Sequence, residues 1–335
     1  MTEDIFLLIF NLLLILLSAE VFTNGVEVFG KRLSLSQAVT GSILAAVGTA
    51  LPETILPMVA IFLHKGESAH SIGIGAILGA PFMLATLAFL MIGLTVLIAH
   101  IFKRRAFTFE VENTTVKRDL MFFLVMYSSG IFLPMFIKQH IIVAFLLVFG
   151  YIAYLYVTFK SESSEILHEE KLYLEKIFGK IVPISRFKTF FSLIQVLLAL
   201  GIMIKGAHGF VSSLQHLSIQ FGFDPLLFAL LVAPVATELP EKFNSATWTF
   251  RGRDTLAMGN VTGAMVFQST FPVSVGIIFT EWNITGYALL SACLAILAGL
   301  IVLGEIFIRK KISPLTLIFS GSFYLLYSVL VILSF

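Results

Sequence analysis

Along the chain, apolar stretches of roughly 20 residues alternate with short clusters of charge, glycine and proline. Ten such stretches lie near 5–29, 36–63, 69–99, 118–137, 140–159, 188–213, 224–249, 255–279, 284–307 and 313–334. Each is long enough to cross a bilayer as a helix, so the pattern predicts an all-α, polytopic membrane protein with ten transmembrane helices. The run Ile5–Leu17 followed by Ser18-Ala19 imitates a secretory leader, but the charges ahead of it are Glu3 and Asp4. A leader normally begins positively charged, so this run is read as a retained first span.

Composition agrees with that reading. Of 335 residues 58% are apolar and 13% charged, with 34 Phe and 10 Met and a mean hydropathy of +0.98. Disorder, coiled coil, collagen-like and nucleic-acid-binding chains are excluded, since each needs polar, periodic or strongly basic sequence. The single cysteine, Cys293, excludes an internal disulfide framework and a Cys-rich metal site, and is read as a small packing residue.

Charge then orients the spans. Eighteen of the 22 Lys and Arg fall on one side of the ten-span topology, Lys65 and Lys138 on the other, and Lys205 and Lys242 inside spans. The positive-inside rule puts the crowded side in the cytoplasm and both termini outside. The longest connection, 160–187, is then cytoplasmic; its mixed charges, including Glu165, Glu169, Glu170, Lys171, Glu175 and Lys176, read as a short solvated helix or a cation sensor. It separates a first five-helix half, 1–159, from a second, 188–335.

The halves share a motif. Val47-Gly48-Thr49-Ala50-Leu51-Pro52-Glu53 pairs with Val235-Ala236-Thr237-Glu238-Leu239-Pro240-Glu241, and Ile74-Gly75-Ala76-Ile77-Leu78-Gly79-Ala80 with Met258-Gly259-Asn260-Val261-Thr262-Gly263-Ala264. Copies five spans apart enter the membrane from opposite sides, the inverted repeat of secondary transporters, whose sites lie at the midplane. In each copy a proline within a span frees a carbonyl upstream, with Thr and Glu four residues apart on one helix face. Glycines 75, 79, 259 and 263 offer close helix approach, though such spacing is also ordinary packing. Glutamates at membrane depth are costly, and usually mark an ion or proton pathway.

These residues resemble the calcium/cation antiporter superfamily of the sodium/calcium exchanger type, whose two repeats carry Gly-Thr-Ser-x-Pro-Glu followed by Gly-Asn-x-x-Gly-Ser. The resemblance implies that Glu53 and Glu241 coordinate calcium with help from Thr49 and Thr237, and that calcium is exchanged against sodium or protons by alternating access. It also implies that the first and sixth spans move past a core of the second, third, seventh and eighth. Calcium's demand for six to eight oxygens suits opposed carboxylates, freed carbonyls and water. The family's serines are replaced by Ala50, Glu238, Ala80 and Ala264, and Leu84 and Gln268 stand where it places a polar or acidic residue. Glu238 is read either as a third ligand or as the partner of Lys242, four residues on; closely spaced buried acids make proton coupling an option.

Other polar residues in spans are secondary candidates. Asn260, Gln268 and Ser269 offer neutral oxygens, Asn244 and Ser245 continue the Glu241 face, and Glu20 and Asn24 line an access path or bond a neighbouring helix. Glu27 and Lys31 read as an ordinary pair, and Lys205 and His208 as proton carriers or snorkelling and interhelical bonding groups. Asn283-Ile284-Thr285 is a glycosylation sequon near the membrane. The expected partners are inorganic cations and the lipid bilayer, with no cofactor, nucleotide or nucleic acid; motifs for an intramembrane enzyme are missing. The alternative function is a cation-binding sensor or scaffold that keeps the exchanger fold without transport.

Overall fold

The computed structural model describes residues 2–32, 50–161, 172–178 and 188–334. Among them the secondary structure is helical. The helices are α1 (Thr2–Arg32), α2 (Leu51–Phe62), α3 (Glu67–Met83), α4 (Phe89–Ile101), α5 (Asn113–Phe136), α6 (His140–Ser161), α7 (Tyr173–Phe178), α8 (Lys188–Phe221), α9 (Pro225–Phe250), α10 (Asp254–Gln268), α11 (Phe271–Phe279), α12 (Gly286–Arg309), α13 (Pro314–Gly321) and α14 (Phe323–Leu333). A π-helical turn, Leu84–Ala88, joins α3 to α4 within one span. Pro81, just upstream, has no amide hydrogen to give, and the Thr86 hydroxyl donates to the Phe82 carbonyl at 2.5 Å.

Among the described residues eight spans are long and apolar enough to cross a membrane, and the molecule is a multi-pass membrane protein. Two expected spans are not among the eight. The second is described only from residue 50, and any stretch of α9 long enough to cross carries Glu238, Glu241 and Lys242.

Burial sorts the spans into layers. In the most apolar stretch of the spans Glu67–Ile101 and Asp254–Phe279, 67% of the residues are buried, against 17% for Thr2–Val26, so the first two are central and the last is peripheral. Phe6, Phe10, Leu13 and Leu17 of α1, and Phe145, Phe149 and Ile152 of α6, face outward. In a bilayer such faces meet acyl chains, which removes the penalty they would incur in water. Cys293 also lies exposed on α12, not packed inside as expected.

Among the described residues there are two large apolar cores, besides a small cluster of Val28 and Leu172. One gathers α1 and α8 with Ile55 and Val59 of α2; the other gathers α5, α6, α10, α12 and α13 around Phe82, Phe123 and Tyr327. Both α3 and α9 belong to each, since Ala76 and Ala229 face the first core while Ile77 and Leu230 face the second. These two helices touch along Gly75 and Gly79, where an added Cβ would run into the carbonyl oxygens of Leu226 and Leu230.

The helix α7, in the connection between the halves, is docked rather than solvated. Leu172 is fully buried, the Tyr173 amide donates to Asn24 Oδ1 at 3.1 Å, and the Leu174 amide to Gln195 Oε1 at 3.0 Å. Tyr173 Oη donates to Glu20 Oε1 at 3.0 Å, so Glu20 bonds this helix. Most of 160–187, Thr49, and the side chains of Glu27 and Lys31 lie outside what is described.

Candidate functional site

The two Pro-Glu motifs fold differently. Pro52 stands in the first turn of α2, where its missing amide costs nothing, so Glu53 occupies the helix start, at the positive end of the peptide dipoles. Pro240 lies instead inside the continuous helix α9, where it leaves the Ala236 carbonyl without its helical donor. Pro240 thus stands inside a helix as expected, while Pro52 is placed at the start of α2, residues 33–49 ahead of it lying outside those described. Thr237 donates its hydroxyl to the Ala233 carbonyl at 3.1 Å.

Between α2, α3 and α9, at the seam of the two cores, lies a cavity lined by Glu53, Leu56, Ala76, Ala80, Ala233, Pro234 and Thr237, with about 10 Å³ for the centre of a water-sized sphere. That is room for one water or one dehydrated cation. Small side chains at positions 76, 80 and 233 leave the space, and a carboxylate and a hydroxyl are its polar wall.

Glu53 is buried and lies within electrostatic reach of Glu238, Glu241 and Lys242, so acids from α2 and α9 converge. Glu238 is fully buried, and neither of its carboxylate oxygens has a hydrogen-bond partner. Lys242, 1% exposed, donates to Glu241 Oε1 at 3.2 Å. Of the two readings of Glu238, ligand or partner of Lys242, the second is not what the structure has, since Lys242 pairs with its neighbour Glu241. Among the described residues no three His, Cys, Asp or Glu side chains close on a common point as ligands of one ion.

The remaining expected residues lie along α10. Asn260 donates to Ser245 Oγ at 3.0 Å, one turn beyond Glu241, and Gln268, 1% exposed, has both amide atoms without a partner. His208 is exposed, with its ring 4.1 Å from that of His64, and His64 Nε2 lies 3.2 Å from the His208 carbonyl. Burial and the facing His208 hold the His64 pKa below its ordinary value.

Two polar knots escaped the sequence reading. Asp119 of α5, 1% exposed, accepts from Thr262 Oγ1 at 2.8 Å and from Arg118 at 3.0 Å. An acid beside an apolar run was the available signal. Asp254, at the start of α10, takes a bidentate pair from Arg105 at 2.7 and 2.6 Å and the Glu110 amide at 2.9 Å. The Arg105 guanidinium pKa is held above its usual value by that bond. No local pattern announces partners 149 residues apart.

The positions where helices begin, end and break repeat between the halves. Both α2 and α9 end at the phenylalanine nine residues after the shared glutamate, Phe62 and Phe250. The following helices both open on an acid, Glu67 and Asp254, and both lose regular α-geometry at the positions aligned by the glycine motif, Leu84 and Gln268.

Known proteins extend these parallels. The chain is 25% identical over 340 residues to a protein of Alkalimonas amylolytica named as an antiporter, CaxA, covering 98% of this chain and 99% of that one. It is 25% identical over 270 residues to a membrane protein of Methanocaldococcus jannaschii, covering 80% of each. Its fold is similar to the crystal structure of the H+/Ca2+ exchanger CAX, with a TM-score of 0.72 and 16% identity over 97% of this chain and 82% of that one. It is also similar to the sodium-calcium exchanger NCX_Mj, with a TM-score of 0.56 and 19% identity over 100% and 99% of the two chains. The sequence profile described as "Sodium/calcium exchanger protein" matches residues 4–160 and 191–334, nearly the whole chain. The chain therefore belongs to the sodium/calcium exchanger protein family, whose members are secondary transporters and not enzymes.

Proposed function

We propose that this chain exchanges calcium, or a similar divalent cation, against sodium or protons by alternating access. Glu53 and Glu241 are the acids of one midplane ion site, with Thr49, Thr237, Glu238, Asn260 and Gln268 supplying further oxygens. The observation that carries the reading is the meeting of buried acids from α2 and α9 beside a cation-sized cavity. Isolated charges at membrane depth are costly, and here they are gathered where a cation offsets them. The small cavity sits between the α1/α8 core and the rest, where relative motion of the two would open it to one side or the other.

The matching helix ends and breaks support two inverted five-helix copies, 1–159 and 188–335, joined by the connection 160–187, ten spans in all. The one-sided distribution of Lys and Arg supports a cytoplasmic connection and outside termini. The ions named for CAX and NCX_Mj favour calcium with a proton or sodium counter-ion.

The test is calcium uptake by proteoliposomes under an imposed sodium or proton gradient. We expect gradient-driven uptake in the wild type and its loss in Glu53→Gln and in Glu241→Gln; uptake surviving in both variants overturns the site. A second reading, cation binding without turnover, draws on the Lys242 ammonium already seated on Glu241. Binding with no flux under either gradient decides for it.

A further inference from the structure

The two copies of the motif differ by one acid and one base. Where the first has Ala50 and Thr54, the second has Glu238 and Lys242, at the same interval of four residues. Because the added charges are opposite, Glu53, Glu238, Glu241 and Lys242 together keep the two-negative excess that Glu53 and Glu241 have alone. A divalent cation cancels that excess completely.

The geometry of the four groups is lopsided. Lys242 Nζ is 3.2 Å from Glu241 Oε1, while the fully buried Glu238 has no hydrogen bond to either oxygen. A buried carboxylate left bare is expensive and needs a use. Lys242 lies four residues after Glu238 on one continuous helix, in the Glu-to-Lys order that suits an ion pair, so rotating the lysine side chain transfers it from one acid to the other without moving the backbone.

We propose that Lys242 is a tethered counter-cation and a specificity-determining residue. It neutralises Glu241 until a divalent cation claims that carboxylate together with Glu53, and it then turns to Glu238. The inference rests on the exchanger reading above. It makes the incoming ion compete with an ammonium for Glu241, and it revises one residue of that reading, making Glu238 the resting place of the ammonium instead of a ligand. It also sets the charge the site prefers: without Lys242 the excess is three negative charges, suited to a trivalent ion.

The experiment is equilibrium binding of radioactive calcium to the purified full-length chain in detergent, for the wild type, Lys242→Gln, Glu238→Gln, the double variant of these two, and Glu241→Gln, with terbium as trivalent competitor. We expect Lys242→Gln to bind calcium about tenfold tighter and to favour terbium, and Glu238→Gln to bind about tenfold weaker. The double variant, which restores the two-negative excess, returns to within about threefold of the wild type. Calcium affinity unchanged or weakened in Lys242→Gln, or a double variant weaker than either single one, overturns the proposal. Should Lys242→Gln fail to fold, the double variant decides alone, since recovery relative to Glu238→Gln supports the proposal and further loss overturns it. Binding abolished by Glu241→Gln but indifferent to Lys242 leaves the exchanger reading standing without the tethered cation. Binding that occurs only in Lys242→Gln keeps the tethered cation and overturns transport.

Discussion

The first copy of the Pro-Glu motif presents one acid from the start of a helix; the second presents two acids and a base from the middle of one. At Glu53 the carboxylate meets the positive end of α2, which favours an anion with no side-chain cation needed. At Glu241 no helix end is available, and a lysine side chain does the equivalent work at 3.2 Å. The difference teaches that equivalent carboxylates in a repeat need not be stabilised by equivalent means. What the copies share is the net charge they bring to the seam between the cores.

The largest effect expected from this contrast is on stability. Removing both acids from the second copy, Glu238→Gln with Glu241→Gln, strands the 1% exposed Lys242 without an adjacent carboxylate. Breaking a buried pair in this way costs about 3 kcal/mol or more. The thermal midpoint of the purified protein should drop accordingly, and adding Lys242→Gln should recover most of it. Glu53→Gln in the first copy strands no cation and removes a buried charge that faces two like charges, so the midpoint is expected to hold or rise. Equal losses from the two copies would break the comparison.

The glycines sharpen it at smaller magnitude. In the first copy Gly75 and Gly79 lie on the backbone of α9, so Gly79→Ala forces two helices apart and is expected to cost about 1–3 kcal/mol, read as a lower thermal midpoint. In the second copy Gly259 has no neighbour within 4 Å among the described residues, and Gly263 has only the Tyr154 hydroxyl, at 3.6 Å. Gly259→Ala is therefore expected to be neutral or to stabilise α10 by up to about 1 kcal/mol. The motif alignment pairs Leu226 and Leu230 with Ala38 and Ser42, which lie outside the described residues. A loss from Gly259→Ala as large as that from Gly79→Ala would mean that this segment closes on α10 as α9 closes on α3.

Much of this was legible in the chain. Spans long enough to cross a bilayer are set by length and hydropathy alone, and a Thr-x-Leu-Pro-Glu pair inside them is too costly to be accidental. What was not legible depended on tertiary choices. That α2 starts beside Pro52 was not legible, because the same residue type suits a first turn as well as the middle of a helix, where Pro240 stands. Lys242 has an acid one residue before it and another four before it; spacing favours Glu238, and burial and orientation chose Glu241. The Arg105–Asp254 pair joins a loop to a helix start across half the chain, and α7 docks through main-chain amides, which the sequence does not display.

The smallest effect concerns where each helix of the pair ends. The first copy leaves α2 through a turn bearing His64, whose ring lies tilted 4.1 Å from that of His208 of α8; the second leaves α9 through Gly252, aligned with His64, whose φ of +75° a side chain would resist. At this aligned position only the first exit can therefore titrate. Burial and the neighbouring imidazole disfavour protonated His64 in the folded chain, so the unfolded chain takes up that proton first as pH falls. The contribution of this exit to stability is complete above the ordinary imidazole value of 6.5 and is lost as pH drops through it to the lower folded value. Between pH 8 and pH 5.5 the thermal midpoint of the wild type should fall more than that of His64→Gln, by a margin below both effects above because the ring is partly exposed. A wild type and His64→Gln that fall in parallel would mean that the contact of α2 with α8 at this end is indifferent to charge, and that the two exits differ in shape alone.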